Sequence, residues 1–427
     1  MEFGNELRRR RVAAGLSLRD LARLVHYSRG HLSKVETGRA IASIELARLC
    51  DSALSSGGAL VAMAASAAGR RSGAGRKKEG GPPVSSDPGM RRWPVPLVRG
   101  DLMPSGMPMI AIAIPSPDRI SSSQAESAAT TFTALFDQLR RLGQQVFPGA
   151  LLPMLIAQTQ TLRGLAAAAR NPTRSVLLGL AARYAEYTGW IAQELGDDHA
   201  ALWWTDEAVH MAEAAGQPEM GAYALVRRAL VGMYRGDAAE TIDLAQMAQA
   251  DPRASERVRG LAALREAQGY ALTADGGPCY EALERGREHL ANAANDHAAA
   301  TLGTSTVADP AAMVTGWCLH DLGRPADAAA ILDGEITRLP FDAHKARTRF
   351  AARRALAYAT AGEVDHACQL TSELLTDAQK LSSATIRLDL VRLSRALNRW
   401  PGHAPVRNLQ PDLTQALRPL TRQFAGD

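Results

Sequence analysis

The side chains best equipped for chemistry lie near the N-terminus, in the run Gly15 to Gly38, GLSLRDLARLVHYSRGHLSKVETG. Arg29, Gly30, His31, Ser33 and Lys34 fall on one side of a short helical pattern, while Leu32 and Val35, three residues apart, fall on the other. A guanidinium presents a fork of donors that matches paired acceptors on a base edge or a phosphate. Imidazole, hydroxyl and ammonium groups add single hydrogen bonds and charge. This set suits recognition of an acceptor-rich, negatively charged surface.

The elements that must position these groups are also legible. Ser17 suits a helix N-cap, and Asp20, three residues on, suits the positive helix end. Leu18, Leu21, Ala22 and Val25 then form one apolar stripe at helical spacing. His26-Tyr27 reads as a tight turn, with His26 tolerating positive φ better than most residues. Ser28 caps the next helix, and Gly38 closes it in a left-handed conformation. Flanking helices are expected over Phe3 to Ala13, with an Arg8–Arg11 run, and over Ile44 to Leu54. Together they make a domain of four or five helices over residues 1–65.

Leu16-Ser17, Leu21-Ala22, Ser28, Leu32-Ser33, Val35-Glu36 and Gly38 resemble the lambda-repressor/Cro-like (XRE-type) helix-turn-helix family. Leu18 and His26 stand where that family often carries Gln and Gly. The resemblance implies that the helix from Ser28 to Thr37 enters the major groove of double-stranded DNA. Arg29 would then read a guanine edge and His31 a base, with Gly30 allowing close backbone approach. Ser17, Arg19, Ser28, Ser33, Lys34, Thr37 and Arg39 would lie near phosphates, which position the domain without choosing the sequence.

Charge supports this division of labour. The 427-residue chain carries +5 overall, but residues 1–100 hold 18 Lys and Arg against 8 Asp and Glu. The basic excess therefore travels with the N-terminal domain, where counterion release is useful on nucleic acid. The four cysteines lack metal-type spacing; Cys50, Cys318 and Cys368 read as buried thiols. Ten dispersed histidines, and the absence of GxSxG, HExxH, Walker or dinucleotide motifs, point away from an enzyme and imply neither metal nor cofactor. No apolar run reaches membrane-spanning length, so no membrane partner is expected, and the protein is expected in the cytoplasm, at the nucleoid.

Residues 66–127 are rich in Gly, Pro, Ser and Arg and read as a flexible linker. Arg70, Arg71, Arg76, Lys77 and Lys78 could trail along phosphates, and the apolar Met107 to Ile114 is expected to pack on the C-terminal domain. Such a linker suggests a tethered N-terminal domain.

Residues 128–427 show a repeat. Turn glycines are expected at Gly196, Gly236, Gly276, Gly323 and Gly362. Seven residues before each stands a small residue (Gly189, Ala229, Gly269, Gly316, Ala355) and six before, a large one (Trp190, Leu230, Tyr270, Trp317, Leu356). Five after come Ala201, Thr241, Glu281, Ala328 and Ala367. Small residues let paired helices approach, and large neighbours fill the gap to the next pair, so hairpins stack into a superhelix. Ala128 to Ala169 is expected to cap the array, and Pro411 to Phe424 to form a last helix. The offsets resemble the tetratricopeptide-repeat family, so the whole chain is expected to be all-α: reader, linker, α-solenoid. Arg227, Arg265, Arg349 and Arg353 are candidates to line a groove that takes a peptide, small-molecule or protein ligand.

The combination resembles peptide-responsive regulators of Gram-positive bacteria and pleiotropic regulators of secondary metabolism in actinobacteria. That resemblance implies a DNA-binding transcription regulator, a repressor more than an activator, acting as a homodimer on an inverted repeat. The asparagines that clamp peptide backbones in the peptide-responsive group have few counterparts: Asn171, Asn292, Asn295 and Asn398 read as helix ends or turns. The alternative is an interaction scaffold or antitoxin-like module in which the reader localises a partner.

Overall fold

Three serines set the N-terminal domain, each accepting from a first-turn amide that the helix itself leaves unpaired. Ser17 caps α2 (Leu18–Leu24) in a full capping box with Asp20. Ser28 accepts from His31 N at 3.2 Å to start α3 (Arg29–Glu36), and Ser43 from Leu46 N at 3.1 Å to start α4 (Ile44–Ala53). With α1 (Glu2–Ala13) and helical residues 59–64 (α5), they enclose Leu7, Leu21, Val25, Leu32, Val35, Leu46, Cys50 and Leu60. Asp51 is buried and accepts from Leu60 N at 3.0 Å and Val61 N at 2.8 Å, so it serves the start of α5.

The computed structural model describes residues 2–54, 56–64, 120–294 and 302–418. Residues 66–119 of the linker, with its basic run and the apolar 107–114 segment, lie outside the described residues. Among those described, every regular element is a helix.

The C-terminal region is a stack of helical hairpins: α6 (Ser122–Leu142) with α7 (Pro148–Ala168), α8 (Thr173–Glu194) with α9 (Asp198–Ala214), α10 (Glu219–Arg235) with α11 (Ala238–Ala250), α12 (Glu256–Leu272) with α13 (Gly276–Ala293), α14 (Pro310–Asp321) with α15 (Pro325–Thr337), α16 (His344–Ala361) with α17 (Val364–Leu381), and α18 (Ala384–Leu397) with α19 (Ala404–Ala416). First helices pack side by side in α10–α12, α12–α14 and α16–α18. The small-residue rule is borne out in four hairpins. A Cβ on Gly189 would meet Ala201 O at 2.9 Å, and one on Gly316 would meet Leu332 at 3.0 Å. Ala229 with Thr241, and Ala355 with Ala367, are fully buried.

The α12–α13 hairpin, third of the five glycine-turn repeats, departs from the expected register. Its left-handed turn residue is Ala274, φ +59°, not Gly276, which begins α13. The close pair therefore shifts two residues back, to Ala267 and Cys279, both fully buried, and Glu281 is left exposed. Gly269 instead meets Ile242 of the preceding hairpin, where a Cβ would lie 2.6 Å away. Two boundaries also move. Helix α6 starts at Ser122, six residues before the expected domain boundary, because Ser121 and Gln124 form a capping box. The last helix starts at Ala404 and runs through Pro411.

The N-terminal domain does not hang free of the hairpins; this corrects the expectation of a mere tether. It is seated on the turns of the third, fourth and fifth repeat hairpins and against Arg399, which follows α18. Arg48 of α4 pairs with Asp321 at 2.9 Å, with side-chain exposures of 12% and 1%. Its other terminal nitrogen donates to Leu272 O at 3.4 Å. Gly323 faces Arg48 O, and Gly362 faces the His26 ring, each so closely that a Cβ would come within 2.8 Å. The Arg399 guanidinium lies 4.8 Å from the Tyr27 ring, and Ala274 joins the core of the N-terminal domain.

Burial alone would raise the pKa of Asp321; Arg48 first, then the His320 hydrogen bond and the Arg353 and Arg392 charges, hold it well below the usual carboxylate value. A depressed folded-state pKa contributes stability above the unfolded value, near about 4, that is lost as pH falls toward the folded one. The seat is therefore expected to be intact at neutral pH and to weaken below pH about 4. Arg48→Ala, which leaves a buried carboxylate without its main counterion, is expected to cost about 3 kcal/mol. Denaturant unfolding at pH 7 and pH 3.5 checks both: the difference between wild type and variant should shrink at the lower pH.

Candidate nucleic-acid interface

The outward face of α3 is built from the cap upward. Ser28 fixes where the helix begins, and Leu32 and Val35 anchor its inner side in the core. That leaves Arg29, Gly30, Ser33 and Lys34 exposed, with Thr37 and Arg39 exposed just beyond the helix. Gly38, φ +71°, closes α3 as expected, its amide donating to Val35 O at 3.0 Å. A Cβ on Gly30 would meet no atom within 4 Å, so this glycine opens a bare stretch of backbone toward solvent.

His31 differs from its neighbours. It is half-buried, and its ring lies 5.5 Å from that of Tyr27. Because Tyr27 also lies against Arg399, the start of the exposed helix is linked by ring contacts to the hairpin stack. The Thr37 hydroxyl donates to Ser33 O at 2.8 Å. At the other helix, the Ser17 hydroxyl is engaged in the capping box with Asp20, while Arg19 is exposed. The turn residue His26 sits at φ +51°, supporting the reading that it replaces glycine there. Burial first, then the Arg399 charge, lowers the His26 pKa, favouring the neutral ring against Gly362.

The basic run on α1 is divided. Arg9 and Arg10 pair with Glu6, whose pKa is lowered to about 2 chiefly by hydrogen bonds from Arg9 and then Arg10. Arg11 turns inward and meets the Glu36 carboxylate twice, at 2.6 and 3.0 Å, while donating to Leu16 O at 2.8 Å. This bidentate, nearly buried pair ties α1 to the end of α3 and so holds the angle of the exposed helix. Gly4 permits the same junction: a Cβ there would lie 2.3 Å from Val35 O.

The four groove candidates fall into two kinds. Arg227 is buried, lies 3.4 Å from Glu186, and donates to Gln193 at 3.1 Å. Arg353 is buried, stacks 3.2 Å from the Trp317 ring centre, and lies 2.7 Å from Asp389. Arg265 and Arg349 are half-buried and have no carboxylate partner among the described residues. Trp190 and Trp317 pack between hairpins as expected, Trp317 with Met233 and Leu272, and both also face cations of α16. The spacing of Lys345, Arg349 and Arg353 was the available signal, since residues four apart share a helix face.

Among the described residues, no cluster of His, Cys, Asp and Glu could hold a metal, and no helix is long and apolar enough to cross a membrane. All four cysteines are free and buried; burial raises the Cys50 thiol pKa to about 12. The sequence matches the family described as "Helix-turn-helix domain" over residues 2–63. That span coincides with the described N-terminal domain. No curated protein matches the chain.

The open backbone at Gly30 separates stability from recognition. Gly30→Ala is expected to raise the stability of the domain by about 0.5–1 kcal/mol, since a helical glycine gives way to alanine without a clash. Thermal unfolding checks the gain. A destabilised variant would mean that the position is more crowded than its surroundings show.

Proposed function

We propose that this chain is a sequence-specific transcription regulator that binds an inverted repeat as a homodimer, with the tetratricopeptide-like hairpins supplying dimerisation and signal or partner input. The observation that carries this reading is the α3 face. A capped, core-anchored helix presents Arg29, Gly30, Ser33 and Lys34 to solvent within a matched helix-turn-helix domain. Arg29, in the first turn of α3, is the residue assigned to a guanine edge, and His31 to the neighbouring base. Lys34, Arg39 and Arg19 are assigned to phosphates, where they add affinity but little sequence preference.

A homodimer follows from the size of the reader. Eight helical residues reach only a few base pairs, and two half-sites one DNA turn apart multiply specificity. Repression is supported by the open α3 face, which requires no movement of the hairpins to become exposed. The seat on the hairpin turns supports signal input by contact, since a change in the stack would reach α4 and the turn before α3 directly.

The test is a binding assay on the promoter of the chain's own gene, across a range of salt. Arg29→Ala is expected to cost about 1–3 kcal/mol on the preferred site and to relax preference at one position per half-site. Lys34→Ala is expected to weaken all sites alike and to flatten the salt dependence by about one ion per protomer. Unchanged preference in the Arg29 variant would remove its assignment. No DNA binding by wild type at low salt would remove the function.

A further inference from the structure

The interior of the hairpin stack gathers cations along one helix face. Lys345, Arg349 and Arg353 recur every fourth residue on α16 and share one face. Each lies against an aromatic ring from another hairpin. The Lys345 ammonium is 4.9 Å from the Trp190 ring centre, and the Arg349 guanidinium is 5.4 Å from Tyr234 and 5.3 Å from Trp317. Arg353, one turn further along, also stacks against Trp317 and pairs with the carboxylate of Asp389 at 2.7 Å.

Lys345, Arg349 and Arg265 have no carboxylate within ion-pair distance among the described residues; burial disfavours their charged forms, while Glu194 favours charge on Lys345, and Tyr234, Glu194 and Asp389 favour it on Arg349, whose pKa is raised. Lys345 is 2% exposed, and its Nζ has no hydrogen-bond partner. Arg349 donates to the Tyr234 hydroxyl and leaves its Nε unsatisfied. Arg265, on α12, donates to the Gln268 side chain. Burial lowers the Lys345 pKa; burial first, then the Arg349 charge, lowers that of Arg265 to about 10. Buried donors without acceptors are rare in native folds, and buried charges without partners destabilise them. Arg265 and Arg349 nevertheless keep some contact with solvent, which leaves an approach to them.

Two sets of hydrogen bonds tie distant hairpins together beside the cations. Glu194, at the end of the helix that carries Trp190, accepts from Ser383 and, at 2.8 Å, from Thr385 at the start of α18. Gln144, between α6 and α7, accepts from Lys345 N at 2.9 Å and Ala346 N at 3.2 Å. These contacts join α8 to the start of α18, and the α6–α7 connection to α16, beside the cations.

We propose that this interior is a binding site for a small organic oxyanion, a metabolite bearing carboxylate or phosphate groups, held by the Arg265 and Arg349 guanidiniums with the Lys345 ammonium behind them. The site gives chemical content to the signal input proposed above. Its test uses no DNA, so the two proposals fail separately.

The experiment is thermal unfolding of the full chain in chloride, inorganic phosphate or citrate at matched ionic strength, for wild type, Arg265→Gln and Arg349→Gln. Phosphate and citrate salt out any protein, so a rise shared by all three proteins is the background. Wild type is expected to gain a further, saturable rise of about 4 °C or more that both variants lose. A rise with phosphate alone indicates a phosphorylated ligand, and with citrate alone a polycarboxylate; either supports the site. Equal shifts in wild type and variants overturn it. If the variants do not fold, calorimetric titration of wild type decides: saturation at one anion per chain supports the site, and dilution heat alone overturns it.

Discussion

The buried pair of Arg48 and Asp321 is the contact on which the unity of this molecule depends. It joins residues 273 positions apart, one from the DNA-reader fold and one from the fourth repeat hairpin. A carboxylate 1% exposed is costly without a cation, so the hairpin stack presents a socket that the reader fills. The glycines around it have the same logic. Gly58, Gly323 and Gly362 each lie where a Cβ would strike the other half of the molecule. The reader's position is set by charge at one point and by close backbone approach at several others.

That seat lies near the charged interior. Trp317 and Asp321 stand four residues apart on α14, one turn of the same helix. Trp317 carries Arg349 and Arg353 on its ring, and Asp321 carries Arg48 of the reader. The Arg353 charge also contributes to holding Asp321 ionised. A change in how the interior cations are neutralised therefore acts within one helical turn of the contact that holds the reader. On the far side, Arg399 and Tyr27 connect the hairpins to His31. Arg48 on α4 and Tyr27 before α3 thus both touch the hairpin stack.

What could be read from sequence was what local physics decides. Ser17, Ser28 and Gly38 mark helix ends because each satisfies backbone groups within three residues of itself. The close approach at Gly189, against Ala201, and at Gly316, against the partner helix α15, was visible because the same steric need recurs in each hairpin. Ala274 escaped because a non-glycine residue at positive φ has no compositional signal, and it moved the register of the α12–α13 hairpin by two residues. The start of α6 was missed although Ser121 and Gln124 are a readable capping box. The seat of the reader was not legible at all, since nothing near Arg48 or Asp321 in the chain announces the partner. For α16, the spacing placed Lys345, Arg349 and Arg353 on one face, but which way that face points depends on Trp190 and Tyr234, more than 100 residues away.

The central claim is that the exposed face of α3 chooses DNA by sequence, in a dimer with two-fold symmetry. Mapping the DNA fragments bound by the full-length chain across its native genome tests it most directly. The expected result is a shared motif of two inverted half-sites with centres about 10 base pairs apart, or a multiple of that spacing. Bound fragments with no common sequence, or with a single asymmetric site, would contradict it.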